Sequence, residues 1–190
     1  MPYEPKNYEN LIGINGLSEQ ILKNHFTLYQ GYVINTNNLV DLLDNKEAST
    51  PEYSELQRRL GWEWNGMRLH ELYFGNLTKE NKSLADGELK AKIEKIYGSF
   101  EKWQKNFILL GAMRGIGWIV FYYDKQSDEL FNIWINEHDV GHLSGATPLL
   151  VMDVFEHAYM LDYGLKKADY IEVFFKLINW SAVIERFNSI

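Results

Sequence analysis

The fold of this chain is decided by one run, Thr147-Pro148-Leu149-Leu150-Val151-Met152-Asp153-Val154-Phe155-Glu156-His157-Ala158-Tyr159. Its apolar part, Leu149 to Met152, is short and continuous and follows a Gly-Ala-Thr-Pro turn, which predicts a buried strand. A carboxylate at the end of such a strand, here Asp153, is costly unless a positive partner meets it. His157 follows four residues later, so a metal ion could take a carboxylate oxygen and an imidazole nitrogen together. An ordinary Asp–His hydrogen bond is the favoured interpretation for the pair taken alone.

Composition limits the kinds of site that the chain can build. Its 190 residues, 46% of them hydrophobic, are enough for one compact domain or two small ones with a sizeable core. Aromatic residues make up 15%, so aromatic walls around a site are expected. The absence of cysteine excludes disulfides, thiolate metal sites, iron–sulfur clusters and cysteine nucleophiles. Any metal is therefore held by nitrogen and oxygen.

Charge and hydropathy restrict the partners. The formal net charge of −7 argues against nucleic-acid binding, although a local ring of cations can still draw in a small anion. Arg68 and Lys167 are our candidates for such a ring. No apolar stretch is long enough for a membrane span, and no signal peptide pattern is visible. We therefore expect a cytoplasmic protein with no membrane partner.

The N-terminal half predicts an antiparallel helical hairpin. After an extended arm (residues 1–17), Ser18 caps a helix that places His25 on its apolar face. Asn35 to Asn38 are expected to weaken this helix before an apolar pattern continues to Leu43. A second helix, from about Tyr53 to Leu77, carries His70 on its inward face. A lone histidine on such a face is more often a satisfied core residue than a ligand, but a hairpin lets the two imidazoles approach each other.

The C-terminal half predicts helices around a small antiparallel sheet. Lys79 to Gly87 is polar and charged, and we take it as the boundary between an N-terminal domain (1–80) and a C-terminal α/β domain (81–190). The predicted fold class is α+β. Beyond the boundary we expect helices at Glu88–Tyr97 and Ser99–Met113, strands at Trp118–Tyr123, Leu130–Ile135 and Leu149–Met152, and a helical region from Ala168 to about Phe187.

The inventory of ligand-type residues is thus two helical histidines, a strand-end aspartate and one further histidine. Three imidazoles and one carboxylate would leave a fifth position open for water or substrate, a set that suits manganese or iron changing oxidation state. Spacing alone does not select these four residues.

The chain resembles the iron/manganese superoxide dismutases along nearly its whole length. Asp153 to Tyr159 is similar to the family's D-x-W-E-H-A-Y signature, with Phe155 in place of the tryptophan. Four further matches occur in the family's order: Tyr97-Gly98-Ser99-Phe100, Gly115-Ile116-Gly117-Trp118, Thr147-Pro148-Leu149-Leu150 and Ile178-Asn179-Trp180.

The resemblance implies a ligand set and a chemistry. The metal ligands would be His25, His70, Asp153 and His157, holding one ion per chain, with superoxide disproportionated to dioxygen and hydrogen peroxide. Glu156 would reach the ligand histidine of a second copy, which implies a homodimer through Glu156 and His157.

The resemblance also implies an outer layer of residues. Tyr32 matches the gateway tyrosine, and His138 lies where many relatives carry a glutamine bonded to the metal-bound water. Gly66 matches the glycine of manganese-type members, so manganese is favoured over iron. Trp118 and Phe74 would be wall aromatics beside Phe155.

The chain departs from the family pattern around its first ligand. Relatives have eight steps from the first ligand to the gateway tyrosine, whereas His25 to Tyr32 is seven. Tyr29 and Met160 occupy positions where relatives carry a histidine and a tyrosine that bond across the dimer. The missing residue suggests a first helix without a π-bulge, with Tyr29 as a substitute gate.

Two alternatives stay open at this point. A mononuclear non-haem iron oxygenase would use two histidines and one carboxylate, and its third histidine would be dispensable. A non-catalytic metal-binding protein of the same fold would not need Tyr32 or His138.

Overall fold

Two long helices form the N-terminal half of the protein in the computed structural model, which describes residues 3–190. Met1 and Pro2, part of the predicted arm, lie outside the described residues. A short 3₁₀ turn at Glu9–Leu11 precedes α1 (Glu19–Asp44) and α2 (Pro51–Gly75). His25, early in α1, meets His70, late in α2, and Asn35, further along α1, meets Glu63, earlier in α2, so the two helices form the predicted antiparallel hairpin.

Helix α1 is α-helical from end to end, which confirms that it lacks a bulge between His25 and Tyr32. The Ser18 side chain caps it by accepting from the Ile21 amide. The expected weakness at Asn35 to Asn38 was wrong, because the asparagines bond away from their own backbone. Asn35 donates to Glu63 on α2, and Asn37 exchanges two hydrogen bonds with the backbone of Tyr3.

A three-stranded antiparallel sheet lies at the centre of the C-terminal half. Its strands are β1 (Gly117–Asp124), β2 (Glu129–Asn136) and β3 (Thr147–Asp153), in the order β2-β1-β3. In this register Trp118 pairs with both Ile135 and Asp153, so the signature aspartate and the loop after β2 lie at the same end of the sheet. Gly117 is required there, because its φ is +128° and a Cβ would lie 1.9 Å from the Ile135 carbonyl oxygen.

Helices surround the sheet, as the α+β prediction requires. They are α3 (Glu88–Tyr97), α4 (Phe100–Gly111), α5 (Met160–Tyr163), α6 (Lys167–Lys176) and α7 (Trp180–Asn188). The single helical region predicted from Ala168 to Phe187 was wrong, since it is divided between α6 and α7. The break allows Ile178 to bridge to Leu77, and the Thr78 amide donates to the Leu177 carbonyl oxygen.

The end of α7 returns to the hairpin. Arg186 donates to the carbonyl oxygens of Leu149 on β3 and Leu72 on α2, so hydrogen bonds connect the two halves of the chain. Among residues 3–190, no helix is both long enough and apolar enough to cross a membrane.

Candidate metal centre

Four side chains from three separate parts of the fold converge on one point. His25 comes from α1, His70 from α2, Asp153 from the end of β3, and His157 from the 3₁₀ turn that follows. One ligand-type atom of each residue lies within 4.8 Å of those of the other three. The Nε2 atoms of His157, His25 and His70 are 3.1, 3.2 and 3.8 Å from Asp153 Oδ2. The structure therefore brings together the whole ligand set that the resemblance implied.

Burial and charge give this cluster the character of a cation site. Asp153 and His70 are fully buried and His25 is 3% exposed. Burial alone would raise the pKa of Asp153, but His157 and His25 lower it well below its ordinary value. Burial also lowers the pKa of His25 and His70. A buried carboxylate that faces three imidazoles is a donor set whose negative charge a divalent or trivalent ion neutralises.

One orphaned nitrogen shows how well an ion would fit. His70 Nδ1 lies 2.6 Å from the Gly66 carbonyl oxygen, which can only accept, so Nδ1 carries the proton and Nε2 presents its lone pair. The Nε2 atom of His70 is buried and has no hydrogen-bond partner among residues 3–190. A buried acceptor left unpaired is unfavourable, whereas a metal ion would use that lone pair. A backbone carbonyl that fixes the tautomer is typical of a metal-ligating histidine.

Tyr32 and His138 form a hydrogen-bonded layer beside the four candidate ligands. Trp118 Nε1 lies 3.0 Å from His138 Nδ1, and because an indole nitrogen only donates, Nδ1 is the acceptor. In the neutral ring the proton is then on Nε2, which donates to Tyr32 Oη at 2.7 Å. Burial lowers the pKa of His138 to about 4 and raises the pKa of the Tyr32 hydroxyl far above its ordinary value.

Tyr29 does not replace Tyr32 as the tyrosine of this layer. Its hydroxyl donates to Glu71 at 3.1 Å and accepts from the Lys6 amide at 3.0 Å, so both hydrogen bonds of Tyr29 are formed with residues other than His138. The hypothesis of a substitute gate was therefore wrong. Because α1 is regular, a three-residue step separates the two tyrosines, and the structure directs only Tyr32 towards His138.

Aromatic rings enclose the candidate ligands. Phe74 lies 4.9 Å from His25 and Trp118 lies 4.9 Å from His70, between ring centroids. Phe155 stacks on His157 at 5.1 Å, and its amide donates to Asp153 Oδ1. Phenylalanine thus occupies the wall position where the signature has tryptophan.

Gly66 packs directly against the Tyr32 ring. A Cβ at Gly66 would lie 2.6 Å from Tyr32 Cδ1 and 2.7 Å from Cε1, so this position has no room for a side chain. Its carbonyl oxygen is also the acceptor that orients His70. One residue thereby sets the position of a candidate ligand and of the neighbouring tyrosine.

The candidate ligand on the outer side is His157, with 29% of its side chain exposed, and Glu156 beside it is exposed too. Met160, three residues after His157, is 44% exposed. The cations considered for anion steering are already engaged. Arg68 forms an ion pair with Glu71, and Lys167 Nζ donates to the Met113 carbonyl oxygen.

Sequence reasoning missed Trp62 as a site residue. Its ring centroid lies 4.4 Å from that of His138 and 5.7 Å from that of Tyr32, and its indole donates to Glu137. The signal was present in the spacing, since residues 62, 66 and 70 share one face of a helix.

Comparisons with known proteins agree with this geometry. Residues 85–186 match the family model described as iron/manganese superoxide dismutases, C-terminal domain. The chain belongs to the iron/manganese superoxide dismutases. That membership accounts for the α+β architecture, with its helical hairpin and three-stranded sheet, and for the signature at the end of β3.

Relatives of similar length carry both metals in their names. The chain is 37% identical to a superoxide dismutase [Fe] of Aquifex pyrophilus, over 97% of this chain and 90% of the relative. It is 35% identical to a superoxide dismutase [Fe] of Cupriavidus metallidurans, over 92% and 90%. It is 34% identical to a superoxide dismutase [Mn] of Haloferax volcanii, over 98% and 92%. The names support manganese or iron without choosing between them.

Proposed function

We propose that this chain is a superoxide dismutase that converts two superoxide anions and two protons into dioxygen and hydrogen peroxide. One manganese or iron ion would be held by His25, His70, Asp153 and His157. The observation that carries the proposal is the unpaired Nε2 of His70, buried beside a carboxylate that two further imidazoles also face. Family membership and the names of relatives that match over most of their length support the same activity.

A bound manganese or iron ion would supply the one-electron redox couple that superoxide reduces in one half-reaction and oxidises in the other. Tyr32 and His138 would position a proton in the site. His138 donates Nε2–H to Tyr32 Oη, so the hydroxyl hydrogen of Tyr32 is free to point into the site. Burial keeps that hydroxyl protonated and keeps His138 neutral near neutral pH. The two residues therefore hold a proton for the peroxide-forming half-reaction.

We favour manganese over iron on the basis of Gly66 and His138. Because Gly66 has no side chain, the Tyr32 ring packs directly against it. His138 is the polar group that forms a hydrogen bond with the Tyr32 hydroxyl. Hydrogen bonds of this outer layer tune the potential of a redox metal. Purified protein reconstituted separately with manganese and with iron is expected to show the higher turnover per bound ion in the manganese form.

A homodimer through Glu156 and His157 is part of the proposal. His157 is the candidate ligand with a partly exposed side chain, and Glu156 is exposed beside it. Analytical ultracentrifugation should find a dimer, and Glu156→Ala should weaken it. A cytoplasmic location stays a prediction, as does the division at residue 80, which is supported by a C-terminal domain match that starts at residue 85.

The decisive experiment measures superoxide decay by stopped-flow spectroscopy at known metal content. Turnover should scale with bound metal and disappear after chelation, and Tyr32→Phe should lower it with little loss of metal. A metal-loaded protein with no turnover above background would overturn the proposal in favour of a non-catalytic metal-binding protein. A wild type without superoxide turnover whose His157→Ala variant still bound the metal would favour the two-histidine arrangement of an oxygenase.

A further inference from the structure

The loop that carries His138 has few bonds of its own. It leaves β2 at Asn136 and closes at Val140 through two backbone hydrogen bonds between these residues. Glu137, inside the loop, has a φ of +49°, an uncommon conformation for a residue with a side chain. His138 is fully buried while Asp139 and Val140 are exposed. The buried ring thus depends on a short exposed loop for its position.

His142 connects this loop to the sheet. Its Nε2 lies 2.9 Å from the carbonyl oxygen of His138, and its Nδ1 lies 3.0 Å from the hydroxyl oxygen of Tyr122 on β1. A carbonyl oxygen only accepts, so His142 Nε2 carries the proton and donates it. In the neutral ring Nδ1 is then an acceptor, and the Tyr122 hydroxyl donates to it. Both neighbours thus favour the same tautomer.

We propose that His142 is a positioning residue: by donating to the backbone carbonyl oxygen of His138, it keeps the His138 ring where it can form its hydrogen bond with Tyr32. This inference rests on the proposed function. Strand β1 provides both anchors of His138: Trp118 bonds its ring, and Tyr122, through His142, fixes its backbone. Because the ring is bonded at both nitrogens, a small shift of the loop weakens both bonds at once.

Two substitutions of His142 separate the two hydrogen bonds. The amide nitrogen of His142→Gln can occupy the place of Nε2, so this variant keeps a donor for the His138 carbonyl oxygen. His142→Asn places its amide near Nδ1, so it keeps a partner for Tyr122 and loses the donor. Both variants introduce the same functional group. A difference between them therefore reports the bond to His138 and not the loss of an imidazole.

Turnover of the manganese-loaded and iron-loaded proteins is the first measurement. We expect His142→Asn to lower kcat by about tenfold, because the loss of one net hydrogen bond corresponds to a change of about this size. The kcat of His142→Gln should remain within about twofold of wild type. Tyr122→Phe should lower kcat by a smaller factor. Tyr97→Phe is its matched control, because Tyr97 also donates to a partner on the sheet, the Leu130 carbonyl oxygen, away from His138. Equal kcat in His142→Asn and His142→Gln would overturn the proposal.

The second measurement does not depend on activity. In zinc-loaded protein labelled with ¹⁵N-histidine, the His138 Nε2–H resonance, assigned with His138→Gln, should be slowly exchanging in wild type and His142→Gln. It should exchange faster or disappear in His142→Asn. An unchanged resonance in His142→Asn would refute the positioning role whatever the turnover. An inactive wild type that still shows the expected difference would refute the proposed function while supporting the role of His142.

Discussion

Replacing Gly66 by alanine tests how the site is packed. The new Cβ would lie 2.6 and 2.7 Å from two ring carbons of Tyr32, whereas relaxed carbon contacts are at about 3.5–4.0 Å. The ring must therefore move by about 1 Å, and such overpacking costs about 1–3 kcal/mol. Alanine returns about 0.5–1 kcal/mol as the better helix former. We expect a net loss of about 1 kcal/mol of folding free energy, within a range of about 0–2.5 kcal/mol.

Gly61→Ala is the matched control. Gly61 lies on the same helix, and a Cβ there would meet no neighbouring atom within 4 Å, so only the helix-propensity gain applies. Subtracting the two variants cancels that gain and leaves the crowding of Tyr32 alone. Urea unfolding at equal metal content should separate them by about 1–3 kcal/mol. Turnover should fall only in Gly66→Ala, because a displaced ring loses the 2.7 Å bond to His138. Equal stabilisation of both variants would refute this account of the packing.

Three further predictions concern pH and metal. Burial lowers the pKa of His138 from its ordinary value of 6.5 to about 4. Between these two pH values the unfolded chain therefore binds more protons than the folded protein. The free energy of unfolding should fall as the pH is lowered through this window. His138→Gln should flatten this part of the stability curve measured by urea unfolding. Burial tends to raise the pKa of Glu71, but hydrogen bonds from Lys6 and Arg68 lower it below its ordinary value. Glu71→Gln should therefore destabilise the protein at about pH 7, and its difference from wild type should shrink below about pH 4, as urea unfolding at both values would show. Asp153→Asn removes the charge that three imidazoles face, so its metal content after reconstitution, measured by plasma mass spectrometry, should fall below about a tenth of wild type.

Most helices and strands, and the family, could be predicted from the amino-acid sequence. Short apolar runs with turn signals predicted the three strands, and Ser18 and Ser99 marked two helix starts that the structure confirms. These features are local, since capping and hydrophobic periodicity act within a few residues. The Asp153 to Tyr159 signature likewise lies in one continuous stretch. Where long-range contacts compete with local propensity, as at Asn35 to Asn38 and at Ile178, the local prediction failed.

Only the tertiary structure decided which histidines belong together and what each nitrogen does. His25 and His70 look alike in sequence, but the end of β3 places Asp153 beside both of them, and the Gly66 carbonyl oxygen directs the lone pair of His70 inwards. The choice of Tyr32 over Tyr29 depends on how a regular α1 packs against α2. The role inferred for His142 depends on a carbonyl oxygen that comes close only when the loop after β2 folds back over β1. Hydrogen bonds between residues far apart in the chain are made by the fold, so no local pattern predicts them.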